Sequence, residues 1–185
     1  MKKIVFLTAM FCLLAISAFA QDKKVDFSGN WTLDVSKSKL DERMRVESMT
    51  MNVTQTDKEL KVETTTKRLP PPEGVGGGQG NGQGGGVGRG GGFGRGGGFG
   101  GDGTNTYSLD GKETKGGEIT LKAKFEKDGK LKLSSSRSFE TPNGEISITT
   151  KETWSLSEDG KILSVKRDME TPRGTNSSEM VFMKK

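Results

Sequence analysis

The chain has 185 residues, no histidine and one cysteine, and its 29 basic and 24 acidic residues give a formal net charge of +5. Because the chain has no histidine, and its only cysteine, Cys12, lies in the apolar run near its start, the sequence predicts no imidazole base, catalytic thiolate, disulfide or zinc site. The charge excess is too small for a general nucleic-acid footprint, and we expect no nucleic-acid partner, no metal and no cofactor.

Residues 1–20 are predicted to be a signal peptide for export. They contain a basic start at Lys2-Lys3, an apolar run over residues 4–16 and a small-x-small cleavage site ending at Ala20. The apolar run is shorter than the roughly 20 residues that a membrane-spanning helix needs. We therefore expect cleavage after Ala20, no membrane span in the mature chain 21–185, and a periplasmic or extracellular location.

The mature chain is predicted to begin with a β-strand built around Gly29 and Trp31. Apolar residues alternate with polar ones from Phe27 to Val35, which is the period of a half-buried strand. We interpret Trp31, and Trp154 further along the chain, as core residues rather than ligand contacts, because aromatic side chains dominate cores.

A glycine-rich insertion follows the third predicted strand. Residues 74–101 are nearly all glycine, and such a composition cannot bury enough apolar surface to offset its backbone entropy. We therefore predict a disordered loop over residues 70–103. Inside it, the six residues 88–93 (GRGGGF) are repeated as 94–99, which resembles RGG-type segments that contact single-stranded nucleic acid. With two arginines and no nearby lysine, we favour a flexible loop.

Period-two alternation continues through the rest of the chain, and Asp-Gly pairs at residues 110–111, 128–129 and 159–160 indicate hairpins. Residues 133–144 and 163–174 repeat one another, and each copy ends in a Thr-Pro-x-Gly turn. These patterns predict a single all-β domain over residues 21–185. We expect an antiparallel up-and-down meander of 8–9 strands, closed into a barrel because closure removes exposed strand edges.

Two motifs carry a family resemblance. Phe27-x-Gly29-x-Trp31-x-Leu33 resembles the first strand of the calycin superfamily, which includes lipocalins and intracellular fatty-acid-binding proteins. The whole mature chain resembles a group of uncharacterised exported bacterial proteins with a lipocalin-like β-barrel, whose meander contains the Thr-Trp-Ser-Leu-Ser-x-Asp-Gly-Lys-x-Leu motif found here at residues 153–163. The resemblance implies a lipocalin-like barrel that binds a small ligand.

The hairpin turns also predict which side chains meet across the strands. Turns centred on residues 159–160 and 171–174 place Trp154 opposite Val165 and place Arg167 between Glu152 and Ser178. The same count across residues 141–144 places Ser135 opposite Thr150 and Arg137 opposite Ile148. All of these residues share the inward phase of the core, and the polar ones are our candidate ligand-binding residues: Arg137, Arg167, Glu152, Ser135, Thr150 and, by the same phase, Ser178.

These inward charges have competing interpretations. An arginine in an apolar cavity is a good clamp for a carboxylate or phosphate. Alternatively, Glu152 and Arg167 neutralise each other, since burying either alone costs several kcal/mol. The resemblance implies a third role, in which Arg167 packs over Trp31. Arg137 has no opposite acid in this register and is therefore the sharper ligand candidate.

Two functions follow from this reading. The leading hypothesis is an exported, monomeric, lipocalin-like binding protein for a small apolar or amphipathic ligand. The alternative is a structural or interaction protein, with a barrel filled by its own side chains and a Gly/Arg/Phe-rich loop that contacts an envelope or protein partner. We expect no enzymatic activity, because no pair of carboxylates can be placed at a productive distance.

Overall fold

The computed structural model describes residues 24–41, 44–70, 102–116, 118–141 and 144–185. The predicted signal peptide and nearly all of the predicted loop over residues 70–103 lie outside the described residues. The described strands are β1 (Gly29–Leu33), β2 (Val46–Gln55), β3 (Glu59–Arg68), β4 (Gly103–Ser108), β5 (Thr114–Gly116), β6 (Ile119–Phe125), β7 (Leu131–Thr141), β8 (Gly144–Leu156), β9 (Ile162–Thr171) and β10 (Gly174–Lys184).

The ten strands form one antiparallel sheet in the order β4-β3-β2-β1-β10-β9-β8-β7-β6-β5. Strands that are adjacent in the sheet are also consecutive along the chain, except that β10 pairs with β1. The two outer strands return towards each other: β4 packs beside β5 and β6, and the Ser108 amide donates a hydrogen bond of 3.2 Å to Thr114 Oγ1. The sheet is therefore a nearly closed barrel, which confirms the predicted all-β antiparallel meander.

Two details of the prediction need correction. The described strands number ten rather than 8–9, because the sequence of β5, Thr-Lys-Gly, has no apolar residue and so gives no alternating signal. Gly103, placed in the loop over residues 70–103, is instead the first residue of β4.

The predicted strand register is confirmed. Trp154 lies opposite Val165, Glu152 opposite Arg167, and Arg167 opposite Ser178. On the β7–β8 pair, Ser135 lies opposite Thr150 and Arg137 opposite Ile148. The β8–β9 connection is longer than the predicted two-residue turn. It is centred on the same residues, so the strand pairs are the predicted ones.

One end of the barrel is filled, and we call it the closed end; it carries the β2–β3, β6–β7 and β8–β9 turns. Phe27 is completely buried there, its ring meets Trp154 edge-on at 5.9 Å, and its carbonyl accepts a hydrogen bond of 3.0 Å from Trp31 Nε1. Gln55 holds this segment in place, accepting from the Phe27 amide and donating to the Val25 carbonyl. Among the most deeply buried side chains of this core are Trp31, Trp154, Phe27, Phe182, Leu60, Leu131 and Leu163.

The opposite end, the open end, carries the β9–β10 turn and the segment that joins β1 to β2. The first part of that segment, residues 34–41, is called the strap. The strap begins with a short 3₁₀ turn (Val35–Lys37) and then runs along β10, where Lys39 and Glu179 exchange backbone hydrogen bonds of 2.7 and 2.9 Å. Towards this end the inward-facing residues change from apolar to polar, and this change creates the candidate site.

Candidate functional site

The centre of the site is an ion pair inside the barrel. Arg167 Nε donates to Glu152 Oε1 at 2.6 Å, and the two side chains are only 13% and 14% exposed. The second carboxylate oxygen of Glu152 accepts a hydrogen bond of 2.8 Å from Trp154 Nε1. Both oxygens of Glu152 are therefore engaged, which identifies this residue as the structural partner of Arg167 rather than a free acid.

Arg167 has hydrogen-bonding capacity left over. Its Nη1 atom is buried and has no hydrogen-bond partner among the described residues. A buried donor without a partner costs about 1–3 kcal/mol, more when it is charged. Binding of any group that offers a hydrogen-bond acceptor to Nη1 would remove this cost.

Arg167 lines a partly open cavity of about 190 Å³. The cavity lies between β8, β9, β10, the end of β3 and the residues before β2, and its wall carries both polar and thioether side chains. Its lining residues are Asp41, Met44, Arg68, Thr150, Arg167, Met169, Asn176, Ser177 and Ser178. A dry cavity of about 150 Å³ is enough for one benzene ring, so this one accepts a small group.

A second pocket of about 570 Å³ adjoins the cavity and shares Met169 and Asn176 with it. Its floor is formed by Ile146 and Ile148 on β8, and the β9–β10 turn forms its outer wall. Both pockets have mostly apolar surfaces, and the first also carries the polar side chains of Arg167, Thr150 and Ser178, a combination that suits an amphipathic molecule.

Tyr107 lies across the barrel from the ion pair, on β4. Burial raises the pKa of its phenol well above the usual value, the charge of Glu152 adds to this rise, and the charge of Arg167 opposes it. The side chain is 6% exposed. The electrostatic influence of the pair therefore extends to the far wall of the barrel.

Arg137 does not line the cavity. Its Nη2 and Nε atoms donate to Glu118 Oε2 at 3.0 and 3.3 Å, and its guanidinium lies 4.8 Å from the centre of the Phe139 ring. Arg137 has no acid opposite it in the register, as predicted, but Glu118 reaches it from outside the strand ladder. Glu118 precedes β6, so counting cross-strand pairs does not find it: the residue opposite Arg137 on β6 is Ile119.

The other predicted polar residues are buried. Ser135, Thr150 and Ser178 are 8%, 3% and 7% exposed, and the last two line the cavity, whereas Ser135 does not. Sequence reasoning missed Arg68, although it continues the inward phase of Leu60 and Val62 along β3. Asp41 and Met44 lie where no alternation exists, so the pattern carries no signal for them.

A basic residue packs over Trp31, but it is Lys184 and not Arg167. Lys184 Nζ lies 5.3 Å from the indole ring, and the two residues are cross-strand partners on β1 and β10. Arg167 is committed to Glu152 instead. Gly29 makes room for the lysine: a Cβ at this position would lie 2.6 Å from Lys184 Cε.

Within the described ranges, no group of three or more acidic, histidine or cysteine side chains is placed to hold a metal ion. The described residues also contain no helix that is long and apolar enough to cross a membrane.

The described strands form a nearly closed antiparallel barrel with a small cavity beside Arg167 at one end. No protein-family model matches the sequence, and no curated protein matches it. Among solved structures, the chain is similar to the crystal structure of zebrafish ileal bile acid-binding protein complexed with cholic acid. The two share 15% sequence identity over 86% of this chain and 98% of the other, with a TM-score of 0.48.

Proposed function

We propose that this chain is an exported, non-catalytic binding protein that holds one small apolar or amphipathic molecule at the open end of its barrel. The observation that carries the proposal is Arg167, which lines a cavity and whose buried Nη1 has no hydrogen-bond partner among the described residues. Export is supported by the sequence pattern of residues 1–20.

The size of the site limits the ligand. Ligand pockets usually measure about 300–1,000 Å³, and the cavity reaches this range only together with the adjoining pocket. The ligand therefore places its polar end beside Arg167 and its apolar part along Met169, Ile148 and Ile146. The closed end takes no part, because side chains fill it.

The test is native mass spectrometry of the protein purified from its own host. The wild-type chain is expected to retain a small-molecule adduct, and Arg167→Gln is expected to lose it. Arg137→Gln is the matched control, since it removes an inward arginine that is bound to Glu118 and lies outside the cavity lining.

The alternative function, a filled barrel acting as an interaction protein, is favoured by the solid closed end. It predicts that no small molecule co-purifies and that a panel of fluorescent lipid probes shows no saturable binding. That result, obtained with folded protein, would contradict the binding proposal.

A further inference from the structure

The cavity beside Arg167 carries an unusual balance of charge for an anion site. Its wall contains two arginines, Arg68 and Arg167, and one carboxylate, Asp41. A second carboxylate, Glu152, lies directly behind Arg167 at 2.6 Å. The positive and negative side chains around the cavity are therefore equal in number.

We propose that this cavity selects a ligand whose polar end is a neutral hydrogen-bond acceptor, such as an amide, ester or ketone oxygen, over a ligand with a carboxylate or phosphate. This inference depends on the proposed binding function and specifies the ligand class for the same site. The remaining polar lining is uncharged, since it consists of Thr150, Asn176, Ser177 and Ser178.

Glu152 restricts how an anionic ligand can meet Arg167. A side-on clamp on a carboxylate uses two parallel N–H groups of the guanidinium, one of them at Nε. Glu152 already occupies Nε. Nη1 is a buried donor left without a partner among the described residues, and one neutral oxygen is sufficient to satisfy it.

Electrostatics acts in the same direction. A carboxylate placed at Nη1 shares one guanidinium with Glu152, so the two anions repel each other at short range in a partly buried setting. An anion also loses much more hydration on entry than a neutral carbonyl loses. A neutral acceptor gains a charge-assisted hydrogen bond without the repulsion from Glu152 and with a smaller loss of hydration.

The experiment compares octanamide with octanoate, two probes of nearly the same shape that differ in charge, by isothermal titration calorimetry at neutral pH. Octylamine serves as the probe for non-specific binding of the apolar chain. Wild-type protein is expected to bind octanamide at least tenfold more tightly than octanoate. Equal or tighter binding of octanoate would overturn the inference and leave the binding proposal standing, whereas no saturable binding of any probe by folded protein would overturn the binding proposal itself.

Removing one carboxylate leaves more positive than negative side chains around the cavity, which should favour an anionic ligand. Glu152→Gln keeps an acceptor for Arg167 but removes the negative charge, so the affinity ratio is expected to move at least tenfold towards octanoate. Asp41→Asn removes the carboxylate of the cavity lining itself and is expected to shift the ratio in the same direction. The matched control is Glu170→Gln, on the same strand as Arg167, where the carboxylate pairs with Lys151 at the surface and solvent screens it. An unchanged ratio in both cavity variants, or an equal shift in the control, would contradict the charge-balance explanation.

Discussion

Glu152 and Arg167 face each other on β8 and β9, and the 2.6 Å contact between them joins two strands inside the barrel. Lys151 and Glu170 pair at the same distance on the same two strands, but their side chains are 57% and 44% exposed. The two pairs thus place the same interaction in two different environments.

Glu152→Ala is expected to destabilise the fold by about 3 kcal/mol, because it leaves Arg167 and the Trp154 indole without their acceptor in a largely buried position. Glu170→Ala is expected to cost less than about 1 kcal/mol, as exposed ion pairs usually do. Urea unfolding followed by tryptophan fluorescence measures both values. Similar losses for the two variants would show that the inner pair is not more important than the surface pair.

Tyr107 is the only tyrosine in the chain, so its titration can be observed without interference. Because the pKa of its phenol is raised in the folded state, the folded state holds this proton more tightly than the unfolded state does. This contribution to stability is complete below the ordinary pKa of 10.0 and is lost as the pH rises above it. We expect phenolate absorbance to appear only together with the loss of native circular dichroism.

The control for this titration is Tyr107→Phe, which keeps the ring and removes the ionisable group. Its free energy of unfolding is expected to fall less steeply with alkaline pH than that of the wild type. A separate, reversible phenolate transition near pH 10 in folded protein would contradict the burial argument.

Gly29 is expected to resist substitution. Its φ angle of +141° is one that side chains rarely adopt, and an added Cβ would also meet Lys184 Cε at 2.6 Å. Gly29→Ala should therefore cost about 1–3 kcal/mol in the free energy of unfolding. Gly116→Ala is the matched control in another strand: a Cβ there has open space, and the change is expected to lie within about 0.5 kcal/mol.

Deletion of residues 74–101 is expected to leave the fold intact. The chain on the two sides of this segment meets at a hydrogen bond of 2.5 Å from the Thr66 amide to Asp102 Oδ1, and loop-closure entropy depends only weakly on length. The deletion variant should unfold cooperatively, with a midpoint close to that of the full chain. Loss of the cooperative transition would show that the segment contributes to the folded state.

The sequence predicted the meander and the register because both depend on a period of two, which is visible wherever one face of a strand is apolar. It therefore placed Glu152 opposite Arg167 correctly. It failed where contacts leave the ladder: Glu118 reaches Arg137 from outside β6, and Asp41 reaches the cavity from the β1–β2 connection. Such contacts depend on how the connections fold over the barrel, and no local pattern encodes that.

The pairing of β1 with β10 also determines the order in which the barrel can be completed. β1 lies near the start of the described chain, yet one of its two neighbours is the last strand, and the Lys185 amide bonds to the Asn30 carbonyl at 2.9 Å. A nascent chain that has not yet reached residue 174 cannot complete the hydrogen bonding of β1 or cover Trp31 with Lys184. Folding of the barrel is thus expected to finish only when β10 is available to pair with β1, and chains truncated before β10 should remain sensitive to protease.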